Sequence, residues 1–172
     1  MNKSLKVVIS GGGTGGHFFP AMAIKEALVK KGIRIKYIGS KYGVEANSKN
    51  LEENTLFLNI TGIQRGLTLK SIKKNILFPF RFLQSYYLSR KLLNEFKPDL
   101  VIGTGGYSSG LPLLAAIHLG IKTVIQEQNS FPGITTRYLS NRCDIIFIAY
   151  NDARKYLKKK MLFLQEIQLE RI

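Results

Sequence analysis

Acidic residues are scarce in this chain: 11 Asp and Glu stand against 26 Lys and Arg in 172 residues, a formal charge of +15. That imbalance calls for an anionic partner, whether nucleic acid, an acidic membrane surface or a phosphorylated substrate. Cysteine is nearly absent. The single Cys143 excludes an internal disulfide, fits a reducing compartment, and reads as a small buried apolar side chain. Histidine is almost as rare, and neither His17 nor His118 has a second histidine nearby to build a metal site. Long apolar runs are missing as well. The longest, Leu111 to Ile121, is well short of the ~20 residues that cross a bilayer. The first apolar segment is cut by glycines, so no signal peptide is expected. What remains is one domain with 45% apolar residues, large enough for its own core.

Glycine is where the chain is rich. Leu5-Lys6-Val7-Val8-Ile9 reads as a short buried strand, stopped by Gly11-Gly12-Gly13-Thr14-Gly15-Gly16-His17. An amphipathic helix follows, with Pro20 expected as its first residue and Ala21, Ile24, Ala27 and Leu28 on one face. Such a turn lets the backbone approach a ligand, and the free N–H groups of the next helix favour an anion. No lysine follows in P-loop spacing. The pattern then recurs: Leu100-Val101-Ile102 runs into Gly103-Thr104-Gly105-Gly106-Tyr107-Ser108-Ser109-Gly110. Two anion cradles in one sheet are the expectation.

The remaining segments alternate. Strands are expected at Ile33–Gly39, Thr55–Ile60, Lys122–Ile125 and Asp144–Ala149. Helices are expected at Gly43–Leu51, Ser71–Phe96 (broken near Pro79), Leu111–Leu119 and Ile134–Ser140. This alternation predicts an α/β protein with a Rossmann-like doubly wound parallel sheet. Its glycine turns follow the first and fourth strands and should face one another across the switch-point crevice. His17 closes the first turn and is a candidate for chemistry, whereas His118 reads as structural. Gln126-Glu127-Gln128-Asn129 follows the fifth strand, where four polar groups need hydrogen-bonded partners or a ligand. Tyr107 is placed to stack on a sugar or to pack.

Gly12-Gly13-Thr14-Gly15-Gly16-His17 with Pro20, Gly105-Gly106-Tyr107-Ser108-Ser109-Gly110, and Glu127-Gln128-Asn129 together resemble the MurG family over roughly residues 5–150. These are bacterial transferases that move GlcNAc from UDP-GlcNAc to lipid I, the undecaprenyl-linked acceptor, giving lipid II of peptidoglycan. The resemblance implies the N-terminal, acceptor-binding domain of a GT-B glycosyltransferase that is inverting, needs no metal or other cofactor, and sits peripherally on the cytoplasmic face of the inner membrane. It implies that Gly13, Thr14, Gly15, Gly105, Gly106, Tyr107 and Ser108 hold the acceptor diphosphate. It implies that Thr14, Gly15, Gly16 and Asn129 help hold UDP-GlcNAc, and that His17 and Glu127 are the catalytic candidates. The family often has His before Glu-Gln-Asn; this chain has Gln126.

Ile76, Leu77, Phe78, Phe80 and Phe82, with Lys73, Lys74 and Arg81 among them, are apolar nearly all round and basic. That composition suits an anionic membrane interface, and no nucleic-acid-binding motif competes to explain the charge. Three function classes stay open: a MurG-type transferase, a non-catalytic acceptor-binding or membrane-recruiting subunit, and a dinucleotide-binding domain. Against the last, Ser40 and Lys41 follow the second strand where a ribose-binding acid belongs, and Glu45 comes a little late.

The chain's end lacks something too. Residues 151–172 have none of the glycine or proline that should open a linker to a second domain. With compatible codons, Phe163–Arg171 read two bases later gives Phe-Thr-Gly-Asn-Pro-Ile-Arg, a stretch of the kind MurG-like chains carry there. The expectation is a truncated or frameshifted tail in place of linker and donor domain, with Met161 onward disordered or a makeshift helix.

Overall fold

A computed structural model describes residues 4–48, 54–62, 68, 75–158 and 162–164. In chain order the elements are β1 (Lys6–Ser10), α1 (Gly15–Lys30), β2 (Arg34–Ser40), a 3-10 turn (Val44–Asn47), β3 (Thr55–Leu58), α2 (Phe78–Phe96) and β4 (Leu100–Gly103). There follow α3 (Gly106–His118), β5 (Lys122–Glu127), α4 (Ile134–Leu139), β6 (Ile145–Ile148), a second 3-10 turn (Asn151–Tyr156) and β7 (Leu162–Leu164). The seven strands form one sheet in the order β3-β2-β1-β4-β5-β6-β7. Every pairing is parallel. The order reverses between β1 and β4, so the two glycine turns leave neighbouring strands, as the sequence predicts.

The sheet is covered on both faces because its central strands are apolar on both. Val7 and Ile9 of β1 point to one side and pack with Phe18 and Ala21 of α1, Tyr37 and Ile102. Val8 points to the other, where Ile38 and Val101 meet Leu93 and Phe96 of α2 and Leu111, Leu113, Ala115 and Ala116 of α3. Cys143 is buried and in no disulfide, its thiol directed at the Ser140 carbonyl at 3.5 Å. His118 accepts or donates to the Tyr86 hydroxyl at 2.7 Å, tying α3 to α2.

Three expectations change. Both crevice helices begin inside their glycine turns, at Gly15 and Gly106, and enclose Pro20 and Pro112 rather than starting there. Each proline leaves the carbonyl four positions back without its helical N–H partner, and that of Ser108 accepts from the Ser10 hydroxyl instead, at 3.1 Å. Second, α2 starts at Phe78 with Pro79 in its opening turn. Of the expected stretch before it, residues 75 and 76 are helical and Leu77 forms a turn, a break close to Pro79 as expected, and residues 71–74 lie outside the described residues. Third, Leu162–Leu164 is neither disordered nor helical: it extends the sheet as β7, paired with Ile146–Ile148.

Candidate functional site at the crevice between two glycine turns

The first turn is held open by a residue that the sequence undervalues. Glu45 is fully buried, and its carboxylate accepts from the Gly13 N–H at 2.9 and 3.1 Å and from the Ser40 N–H at 2.8 Å. The Tyr37 hydroxyl donates to the Gly11 carbonyl beside it. Burial, and then the Glu45 charge, push that phenol far above its ordinary pKa. Gly12 has φ +145° and Gly13 +85°. A Cβ on Gly12 would collide with the Glu45 carboxylate, and one on Gly13 would stand 2.7 Å from the Tyr107 ring. These glycines are required by close approach as much as by backbone conformation. Because the Gly13 amide is engaged by Glu45, the turn's free donors are the first amides of α1, at Gly15 and Gly16. Neither has a hydrogen-bond partner among the described residues.

The second turn packs straight onto the first. A side chain on Gly105 would meet the His17 ring at 2.7 Å, and one on Gly106 would strike the Gly12 carbonyl. Thr104 donates its hydroxyl to the His17 carbonyl at 2.7 Å. Ser10 donates to the Ile38 carbonyl at 2.8 Å and approaches the Ser108 carbonyl at 3.1 Å, seating the start of α3 on β1. The amino-terminal ends of α1 and α3 thus converge, neither carrying a side-chain cap. Uncapped amides at a helix N-terminus favour an anion, and two such ends meet here. Ser108 is fully buried and its hydroxyl has no partner among the described residues. Tyr107 is half-buried; burial raises its pKa, a Ser40 hydrogen bond opposes this, and Glu45 adds to it.

His17 sits at the junction. Its Nδ1 lies 3.0 Å from the Thr104 carbonyl oxygen, which only accepts, so Nδ1 carries the proton and donates. The Gln128 side-chain amide also contacts Nδ1. Nε2 is left with a free lone pair and no hydrogen-bond partner among the described residues. The sequence marks Gln128 as part of a polar cluster, but its contact with His17 appears only once the fold brings the end of β5 against the first turn. Glu127 is 1% exposed. Its Oε1 accepts from the backbone and side-chain N–H groups of Asn129 at 3.0 and 2.8 Å. Its Oε2 is buried without a partner among the described residues, as is the side-chain oxygen of Gln126. No hydrogen bond joins Glu127 to His17 among the described residues. Asn129 itself is exposed.

The apolar segment expected at a membrane is divided by its helix. Phe78 and Phe82 turn inward against the core, their rings 6.0 Å apart. They leave the exposed set for a geometric reason: one helical turn apart, both follow the face α2 buries. Ile76 (65% exposed), Phe80 (73%), Leu83 (65%) and Tyr87 (67%) lie on the opposite face, with Leu77 partly exposed. Arg81 is half-buried, its guanidinium 6.0 Å from the Tyr42 ring. Lys73 and Lys74 lie outside the described residues. Among those described, no helix is long and apolar enough to cross a membrane.

Known proteins match this arrangement. Residues 7–148 fit the glycosyltransferase family 28 N-terminal domain. The chain is 42% identical over 162 residues to the UDP-N-acetylglucosamine--N-acetylmuramyl-(pentapeptide) pyrophosphoryl-undecaprenol N-acetylglucosamine transferase of Flavobacterium psychrophilum, covering 92% of this chain and 43% of that protein. It is 43% identical to the enzyme of the same name from Halalkalibacterium halodurans, over 92% of this chain and 44% of that one. Among solved structures, Acinetobacter baumannii MurG superposes with a TM-score of 0.75 at 28% identity, over 92% of this chain and 45% of that chain. The chain therefore spans under half the length of these relatives. With its parallel sheet, its paired glycine turns and this match over most of its length, the chain belongs to glycosyltransferase family 28, as that family's N-terminal domain.

Proposed function

We propose that this chain is the acceptor half of a hexosyltransferase of peptidoglycan synthesis, moving GlcNAc from UDP-GlcNAc to an undecaprenyl-diphosphate-linked acceptor. The observation that carries this reading is the convergence of two uncapped helix N-termini, at Gly15 and Gly106, with His17 tied between them. The amides of Gly15, Gly16, Gly106, Tyr107 and Ser108 hold the acceptor diphosphate. Their dipoles supply the positive field that a metal would otherwise give, and the reaction is metal-independent and inverting. Gly13 shapes the first turn rather than donating, since its amide is already bonded to Glu45, and Gly105 stands at the uncapped start of α3.

His17 acts as general base. The Thr104 carbonyl fixes its tautomer, and Nε2 takes the proton from the acceptor hydroxyl as that oxygen attacks the sugar's anomeric carbon. Glu127 works through Asn129, whose side chain it orients toward the donor, with Thr14, Gly15 and Gly16 completing this domain's share of the UDP-GlcNAc site. These residues supply only part of the UDP-GlcNAc site, the rest belonging to a donor domain. The exposed face of α2 rests on anionic lipid at the cytoplasmic face of the inner membrane.

Glu45 counts against the dinucleotide alternative, because its carboxylate is buried under the first turn and is closed to a ribose. Calorimetric titration separates the readings. A soluble lipid I analogue should bind this chain, UDP-GlcNAc should bind weakly for want of most of its site, and NAD should not bind. Binding of NAD, or of neither sugar ligand, would overturn the proposal.

A further inference from the structure

Beside the second glycine turn lies an apolar groove that neither the diphosphate site nor the membrane face uses. It has a volume of about 670 Å³, within the ~300–1,000 Å³ range of pockets that enclose a ligand. Its walls are Phe78 and Phe82 from α2, Leu111 and Leu114 from α3, and Ile134 and Tyr138 from α4. Ile134 and Tyr138 are 68% and 62% exposed, so the groove opens to solvent. We propose that it holds the first isoprenoid units of a lipid diphosphate whose phosphates sit at the N-terminus of α3, an inference that rests on the acceptor reading above.

Three observations fix the occupant. The groove is continuous with the anion site: Tyr107 lines it while its ring abuts Gly13 of the first turn, and Gly110 lines it one turn further along α3. Gly106, Gly110 and Leu114 follow one face of α3 at four-residue spacing, so the groove runs ~12 Å from the free amides. Second, two helix N-termini make room for two phosphates. A diphosphate esterified directly to the hydrocarbon chain is the mark of an isoprenoid lipid; acyl chains reach phosphate through glycerol. Third, α2 presents Phe78 and Phe82 to the groove and Phe80 and Leu83 to the outside. A chain leaving a bilayer beneath α2 therefore enters the groove around that same helix.

The test is calorimetric titration of the intact chain with inorganic diphosphate, farnesol, farnesyl diphosphate and dodecyl phosphate. Farnesyl diphosphate should bind at least tenfold more tightly than inorganic diphosphate, and farnesol should bind detectably. Ile134→Glu, on an exposed side chain that leaves folding intact, and Leu114→Gln should each remove the tenfold gain while leaving inorganic diphosphate unchanged. Equal affinity for the two diphosphates, or a gain that survives both folded variants, would overturn the groove and leave the diphosphate site standing. Farnesol binding without diphosphate binding would support the groove and overturn the acceptor reading. Dodecyl phosphate binding as tightly as farnesyl diphosphate would overturn the isoprenoid assignment.

Discussion

At the scale of single residues, two side chains carry testable roles. Glu45 is a buried acceptor for two backbone donors and touches no expected ligand atom. Glu45→Gln keeps its size but turns an N–H toward one of those donors. A charge-assisted pair lost in a buried place costs ~1–3 kcal/mol, so denaturant unfolding should show that loss, and diphosphate binding should weaken as the first turn loosens. Unchanged stability would mean that the turn does not depend on Glu45. His17 is the converse case, half-buried and tied by one nitrogen only. In an enzyme carrying this domain joined to its donor half, His17→Ala should lower turnover ~10²–10⁴-fold, the usual effect of losing a general base, while leaving acceptor binding nearly intact. Turnover within a few-fold of the parent would remove His17 from that role. Only His17 of this pair was legible in the sequence, because it adjoins the glycines. Glu45 is 32 residues from Gly13 and follows no motif; β2 and its 3-10 turn had to fold back before its partner was apparent.

Elements divide labour that the residue string blends together. Read as sequence, Ile76 to Phe82 is apolar all round; as a helix it has an inner pair, Phe78 and Phe82, and an outer row through Phe80, Leu83 and Tyr87. The two rows should respond differently. Phe80→Ser with Leu83→Ser should release the protein from anionic vesicles and leave its melting temperature nearly unchanged. Phe82→Ser should lower stability by ~1–3 kcal/mol, since it removes a ring packed on the core. Release by the inner substitution alone, with the fold intact, would reverse this assignment. A second element-level contact governs pH. Asp144, just before β6, accepts from the Thr123 N–H at 2.8 Å, the Thr123 hydroxyl at 3.0 Å and the Lys122 ammonium at 3.1 Å. Burial opposes its ionisation, but these bonds outweigh burial and hold its pKa below the ordinary value. Its charge therefore adds stability above the unfolded-chain pKa, near ~3.9, and this is lost as pH falls through the lower folded value. For so exposed a group the gain is under ~1 kcal/mol after screening. Asp144→Asn should be less stable than the parent from about pH 5 upward, with the difference shrinking as pH falls below the ordinary carboxylate range; a difference that grows in acid would contradict this.

For the whole molecule, the strand order was legible because each buried strand is a short apolar run closed by glycine or a polar cluster. The facing of the two turns then follows from topology alone, β1 lying beside β4. The edge was not legible. Leu162-Phe163-Leu164 is too short to show a period and follows three lysines, so nothing local marks it as sheet. It is a strand because β6 offers it a ladder and an exposed ring: Phe147 and Phe163 lie 5.6 Å apart across the pair. Phe163 and Leu164 remain about half exposed, so β7 buries little and covers an edge more than it builds a core. Cutting the chain after Lys158 should therefore cost only ~1–2 kcal/mol, the scale of a few cross-strand pairs, and leave cooperative unfolding intact. The stronger effect should be on association. Truncation uncovers the backbone donors and acceptors of β6 together with Phe147, a template for edge-to-edge pairing. Sedimentation should show the shortened chain forming dimers or larger species at concentrations where the parent is monomeric, and a Phe147→Lys substitution in the shortened chain should suppress them. If the shortened chain instead loses cooperative unfolding, β7 is part of the core and this account of the edge is wrong.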